Sequence, residues 1–267
     1  MIPNITIGSR EISAYLLAAL IGIFAAGLFV LKMIDKNRRD QLLVILLWSS
    51  LGVLAGGHIV YGITNIPNII AAIKAGAGLF TILSFFGGSV FYGGLLGGLA
   101  AAVIYCRIVH VDVSEYADYG AMFIPCFHVF GRIGCFLAGF CYGRETDAWY
   151  GMEFNHSVYH NMIGVKVIPT QLIMSAANFV HFFLLAWIAT KAYKAGKDGV
   201  VAGCYLLFYS IGRFLIEFLR NDPRGGVGGL STSQFISLFI FAAGVGMVLF
   251  FGLRKGQKNL ILEEKTE

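Results

Sequence analysis

Charge is scarce in this sequence: only 13% of its 267 residues are Asp, Glu, Lys or Arg, against about 25% in an ordinary globular domain. With 57% of residues hydrophobic, most of the folded surface has to face something other than water, which excludes a soluble domain. Long polar linkers are missing too, so one domain over residues 1–267 is expected. The marks of a cleaved signal peptide are absent, since MIPNITIGSREIS carries only Arg10 as a cation, and the first apolar segment is expected to be a retained span. Cysteines are few: 106, 126, 135, 141 and 204 lie in or beside apolar segments and suggest neither a disulfide framework nor a redox compartment.

What the chain does have is long apolar runs. They fall at 12–31, 42–63, 87–106, 118–139, 170–190, 200–219 and 232–252, each near the roughly 20 residues that a helix needs to cross the hydrocarbon core. Backbone amides in hydrocarbon must be satisfied within the segment, and continuous apolar runs do not alternate as barrel strands do, so these spans are helices. The expected fold is an all-α membrane protein, a bundle of seven transmembrane helices with a small extracytoplasmic head between helices 4 and 5. Asp118, Pro125, His128 and Arg132 interrupt the fourth span. The breaks between spans alternate in basic content, with twelve Lys and Arg on one side and six on the other when Arg10 is included. The positive-inside rule then puts the amino terminus outside and the carboxyl terminus in the cytoplasm.

The basic runs at 32–40 and 191–198 read as cytoplasmic anchors beside anionic headgroups, and no nucleic-acid partner is expected. Residues 253–267 read as a cytoplasmic tail. Residues 64–86 hold an apolar stretch too short to span, an interfacial or re-entrant element. Residues 140–168, with Trp149, Tyr150 and Tyr159, form the expected head.

Charge inside the spans is the strongest chemical signal, because an arginine at a helix centre costs about 2.5–3.5 kcal/mol on the insertion scale. In RFLIEFLR, Arg213, Glu217 and Arg220 are spaced i, i+4, i+7 and share one helix face. Arg132 lies near the outer end of the fourth span, with Gly131 and Gly134 leaving room beside it. A guanidinium stays charged when desolvated and matches phosphate with its planar fork, so Arg132 and Arg213 suggest a site for a phospholipid headgroup in the outer leaflet. Alternatively, Glu217 pairs with the arginines and the cluster only joins helices.

Glycines at 93–94 and 97–98 suit close helix packing, Gly94 and Gly98 having the small-xxx-small spacing, although FFGGSVFYGGLLGG could also open a cavity for lipid. His128 reads as a packed core histidine. Cys135 and Cys141, six residues apart, would point about 120° away from each other on a continuous helix, so joint metal ligation is not expected.

GRIGCFLAGFCYGRETDAWYGMEF, with FYGGLLGG, the PTQL at 169–172, and YSIGRFLIEFLRND followed by LSTSQFISL, resembles the bacterial prolipoprotein diacylglyceryl transferase family over nearly the whole chain. The resemblance implies a multi-pass enzyme of the bacterial inner membrane. Such an enzyme moves a diacylglyceryl group from phosphatidylglycerol to the thiol of the lipobox cysteine in a prolipoprotein signal peptide, releasing glycerol phosphate. Membrane lipids surround it, and no metal or organic cofactor is implied.

By position, Arg132 matches the signature-motif arginine, Gly143 the glycine closing that motif, Arg213 the arginine of the sixth helix and Tyr15 a tyrosine of the first helix. The catalytic candidates are then Arg132, Arg213, Tyr92 and Glu217; the substrate-binding candidates are Arg132, Gly134, Gly143, Arg213, Arg220, Tyr15, Gly93, Gly94 and Gln171. Cys135 stands where typical members carry asparagine, Phe140 where they carry glutamate and Tyr92 where they carry histidine. Ile168, Ile173 and Met174 replace a histidine and a Tyr-Glu pair around the PTQL block. These departures favour, as alternatives, a divergent paralogue using the same lipid donor with another acceptor, or a non-catalytic phospholipid-binding or lipid-moving membrane protein.

Overall fold

The computed structural model describes residues 4–7, 10–34, 36–155, 163–220 and 226–254. In chain order its elements are β1 (Asn4–Ile7), β2 (Arg10–Ser13), α1 (Ala14–Met33), α2 (Lys36–Thr64), α3 (Ile66–Lys74), α4 (Leu79–Ser84), α5 (Phe91–Ile108) and α6 (Val113–Ala138). There follow β3 (Met152–Glu153), β4 (Lys166–Val167), α7 (Thr170–Lys194), α8 (Val200–Glu217), β5 (Gly226–Val227), β6 (Leu230–Ser231) and α9 (Thr232–Leu253). The strands form three antiparallel hairpins, β1 with β2, β3 with β4 and β5 with β6. The chain divides into two compact units, Met1–Met33 with Ala117–Glu267, and Ile34–Tyr116. Tyr159 and most of the expected tail lie outside the described residues.

Among the described residues six helices are long and apolar enough to cross a membrane: α1, α2, α6, α7, α8 and α9. Their apolar side chains stay largely uncovered by protein, Phe24 at 69%, Val180 at 65% and Phe250 at 64% exposure, a surface suited to lipid. This is a multi-pass membrane protein. The third expected span is the shorter α5, which begins at Phe91, beyond the Gly87–Gly88 pair, and not at residue 87. Residues 64–86 hold α3 and α4, neither long enough to span. The polar residues expected to interrupt the fourth span leave α6 continuous, Pro125 included.

Asp118 has a structural reason to be in α6. It is fully buried and accepts hydrogen bonds from the backbone N–H of Gly199, at 2.9 Å, and of Ala202, at 2.8 Å. No side chain of α8 itself caps that helix, whose start is preceded by Gly199 at φ 89°. A carboxylate from α6 therefore satisfies the free donors of α8 and complements its dipole. Asp118→Ala leaves both donors buried without partners and is expected to lower stability by about 2–4 kcal/mol, with Asp118→Asn, which keeps one acceptor, intermediate; unfolding in mixed detergent measures both. At the start of α9, Ser231 and Gln234 form a reciprocal capping box.

In the unit Ile34–Tyr116, α2 and α5 meet backbone to backbone. A Cβ added at Gly56 would lie 2.3 Å from the carbonyl oxygen of Gly93, and one at Gly97 would lie 2.3 Å from that of Gly52. The closest approach thus runs through Gly52, Gly56, Gly93 and Gly97, one position away from the Gly94 and Gly98 spacing read from the sequence. Gly94 and Gly98 pack beside it, against Val53 and Ser49. The glycine pair at 93–94, considered as a lipid cavity, faces α2.

Candidate functional site

The site is assembled where α6 ends. Gly139, at φ 74°, leaves the helix in the left-handed conformation, and the backbone N–H of Phe140 reaches back to the carbonyl of Cys135 at 3.2 Å. Cys141 follows at φ 66°, a conformation uncommon outside glycine. This double turn frees the carbonyls of Phe140 and Cys141, and the PTQL block supplies their donors. Gln171 Nε2 donates to Phe140 O at 2.9 Å and Thr170 Oγ1 to Cys141 O at 2.8 Å, while Ser175 Oγ donates to Val129 O at 2.9 Å. Gln171, a substrate-binding candidate, is fully buried in this role.

Immediately beyond, the chain at 143–144 is laced between two other segments. Gly143 N–H donates to Ile168 O at 2.9 Å, Arg144 N–H to Leu219 O at 2.8 Å and Ile168 N–H to Arg144 O at 2.9 Å, while Gly143 also forms a bridge with Arg220. A Cβ on Gly143 would meet Leu219 O at 2.5 Å and Thr170 Cγ2 at 2.7 Å. Gly143→Ala is therefore expected to lower stability by about 2–3 kcal/mol through overpacking. Gly131→Ala, where nothing lies within 4 Å of the added carbon, is the neutral control, and thermal unfolding of the detergent-solubilised proteins compares them.

The bend also corrects the reading of the two cysteines. Instead of pointing apart on one helix, Cys135 and Cys141 meet through a side-chain hydrogen bond, with Arg220 hydrogen-bonded to Cys141 as well. The hydrogen bond from Cys135, then the Arg220 guanidinium, holds the Cys141 thiol below the ordinary thiol range despite its desolvation. Arg220 is 6% exposed, and its carbonyl accepts from Arg144 Nε at 3.3 Å.

Arg132 and Arg213 both line a cavity of about 430 Å³ between α6, α7 and α8. Arg213 is tied down: Nη1 donates to Glu217 Oε2 at 2.6 Å and Nη2 to Ser233 Oγ at 2.6 Å, with side-chain exposures of 12% for Arg213 and 7% for Glu217. Glu217 is thus the arginine's partner. Arg132 is half-buried and, among the described residues, has no carboxylate within ion-pair distance. Most of the remaining wall is apolar, including Ile173, Met174, Leu215 and Leu219. A cavity with cations beside an apolar wall suits an amphiphile with a phosphate at one end.

Tyr15 lies over Gly134, where an added Cβ would meet its ring carbon Cδ2 at 3.1 Å, and its ring centroid is 5.7 Å from that of Phe140. Tyr92, Gly93 and Gly94 belong to the other unit. The sequence reading missed Asn178, His181 and Tyr209 on the cavity wall and Ser233 behind Arg213, and it took His128 for core packing. A signal was present: His128 with Arg132, Asn178 with His181, and Tyr209 with Arg213 are polar pairs at helical spacing inside apolar spans, where polar groups are by default functional.

A sequence model of the family described as prolipoprotein diacylglyceryl transferase matches residues 4–250. A phosphatidylglycerol–prolipoprotein diacylglyceryl transferase of Clostridium tetani is 37% identical over 228 residues, covering 84% of this chain and 87% of that protein. A second such protein, from Clostridium perfringens, is 36% identical over 238 residues and 88% of each chain. One from Campylobacter lari is 29% identical over 256 residues, 92% of this chain and 89% of that one. Arg132 and Arg213 both fall inside the matched residues 4–250, and this chain belongs to the prolipoprotein diacylglyceryl transferase family.

Proposed function

We propose that this protein transfers the diacylglyceryl group of phosphatidylglycerol to the lipobox cysteine thiol of prolipoproteins, releasing glycerol phosphate. The observation that carries the chemistry is the pair Arg132 and Arg213, brought from separate helices to one cavity with a largely apolar wall. The acceptor thiol loses its proton to solvent, its sulfur bonds to the glyceryl carbon as the carbon–oxygen bond to phosphate breaks, and the electron pair of that bond leaves with the phosphate oxygen. Charge on that phosphate grows from one to two, and fixed cations that meet it without reorganising stabilise the transition state more than the ground state.

The setting is the bacterial cytoplasmic membrane, with the amino terminus outside and the carboxyl terminus in the cytoplasm. The excess of Lys and Arg in alternate connections supports that orientation. With α5, whose 18 residues extend roughly 27 Å, the crossings number seven, and the described residues of the expected head, 140–155 and 163–168, lie on the outer side. The lipobox segment of the acceptor then approaches from the same side as the arginines.

Incubating the purified protein with glyceryl-labelled phosphatidylglycerol and a lipobox peptide tests the reading. Label on the peptide cysteine is the expected result. Glycerol phosphate release without a labelled peptide moves the assignment to another acceptor, and lipid binding without turnover removes the enzymatic reading.

A further inference from the structure

Below the arginines the same cavity holds a second polar tier. His128 lies four residues from Arg132 on α6, Tyr209 four residues from Arg213 on α8, and Asn178 and His181 face them from α7. His181 is only 9% exposed, and its Nε2 is buried without a hydrogen-bond partner among the described residues. The ring is held by aromatic contacts, stacked on Tyr205 at 5.4 Å and 11° and edge-on to Phe208 at 5.5 Å and 90°. An orphaned imidazole nitrogen in an apolar wall costs free energy unless something enters to bond it.

Depth says what that is. Phe208 and Tyr205 lie five and eight residues from Arg213 along α8, roughly 7–12 Å at the helical rise. The polar layer on each side of a bilayer is about 5–8 Å thick, the difference between the full membrane and its hydrocarbon core. A lipid whose phosphate is held by the arginines thus carries its acyl-ester groups into the same cavity toward His181, with the tails beyond. An ester carbonyl accepts hydrogen bonds and cannot donate them, which suits an unpartnered ring N–H of a residue on the cavity wall.

We propose that His181 is an ester-carbonyl subsite: its Nε2–H donates to an acyl-ester carbonyl of the phospholipid whose phosphate Arg132 and Arg213 bind. The assignment rests on the transferase reading above and adds donor selectivity to it, because a lipid with ether-linked chains keeps the phosphate and tails but offers no carbonyl. His181 positions the diacylglyceryl group, while the arginines act on the leaving phosphate.

The test compares diester phosphatidylglycerol with its diether analogue of equal chain length, each with a lipobox peptide. Wild-type protein is expected to use the diester about tenfold better, the worth of one hydrogen bond in a water-poor site. His181→Phe keeps the ring stacked on Tyr205 but removes the donor, and should bring the diester rate down to the diether rate. His181→Gln, which retains an N–H, should restore part of the preference, and Arg132→Gln should slow both donors by the same factor. A wild-type ratio near one overturns the subsite while leaving the transferase reading intact. So does a ratio unchanged in His181→Phe, or an equal loss on both donors in that variant, which would mean a purely structural ring. Wild-type protein that transfers from neither lipid overturns the subsite and the transferase reading together.

Discussion

Arg132→Gln is expected to slow diacylglyceryl transfer by on the order of 10²–10³-fold while leaving the fold intact. The expectation combines two observations. Arg132 lines the cavity, and among the described residues no carboxylate stands within ion-pair distance of it. Its removal therefore orphans no buried anion, and the loss falls on whatever negative charge the cavity receives. Glutamine is shorter than arginine and needs no space that the native side chain does not already fill. Arg132→Lys should recover only part of the rate, because an ammonium is a point charge and cannot present two parallel N–H groups to phosphate oxygens. Initial rates with labelled phosphatidylglycerol, taken beside thermal unfolding curves, measure both halves of the claim. A variant within about threefold of wild type would remove Arg132 from the reaction.

The membrane class was legible in the sequence because it rests on run length and scarcity of charge, and both survive in any arrangement of the helices. The arginine pair was legible for a similar reason: a charge inside an apolar run needs compensation wherever it lies, and the RFLIEFLR spacing correctly joined Arg213 to Glu217. What escaped the sequence depended on backbone conformation. The meeting of Cys135 and Cys141 follows from left-handed residues at Gly139 and Cys141, which a helical projection cannot anticipate, since glycine permits such a turn without requiring it. The glycine contact between α2 and α5 was assigned to the correct stretch but shifted by one residue, because the register depends on the partner helix. His181 and Asn178 escaped because each, taken singly, reads as a polar residue in a tolerant helix. Only the shared cavity gives them common meaning. Gln171 stood among the substrate-binding candidates, and its amide bond to the double turn after α6 was not legible because that turn was not.

The second large effect separates Arg213 from Arg132. Arg213 and Glu217 form a buried pair at 2.6 Å, and Ser233 holds the other guanidinium nitrogen. Arg213→Gln leaves a carboxylate buried without its counter-charge and is expected to lower stability by about 3–5 kcal/mol. Activity falls with it, so that variant alone does not distinguish a catalytic arginine from a structural one. The double variant Arg213→Gln with Glu217→Gln does. Removing both charges leaves two amides four residues apart on α8, able to hydrogen-bond each other, and stability should return to within about 1 kcal/mol of wild type. Transfer should not return, because the cavity has then lost one of the two cations proposed to meet the leaving phosphate. Detergent-unfolding midpoints and initial rates for the four proteins of the cycle give the two coupling terms separately. Recovery of activity along with stability would make the Arg213–Glu217 pair a helix clamp, leaving Arg132 as the arginine to act on the leaving phosphate.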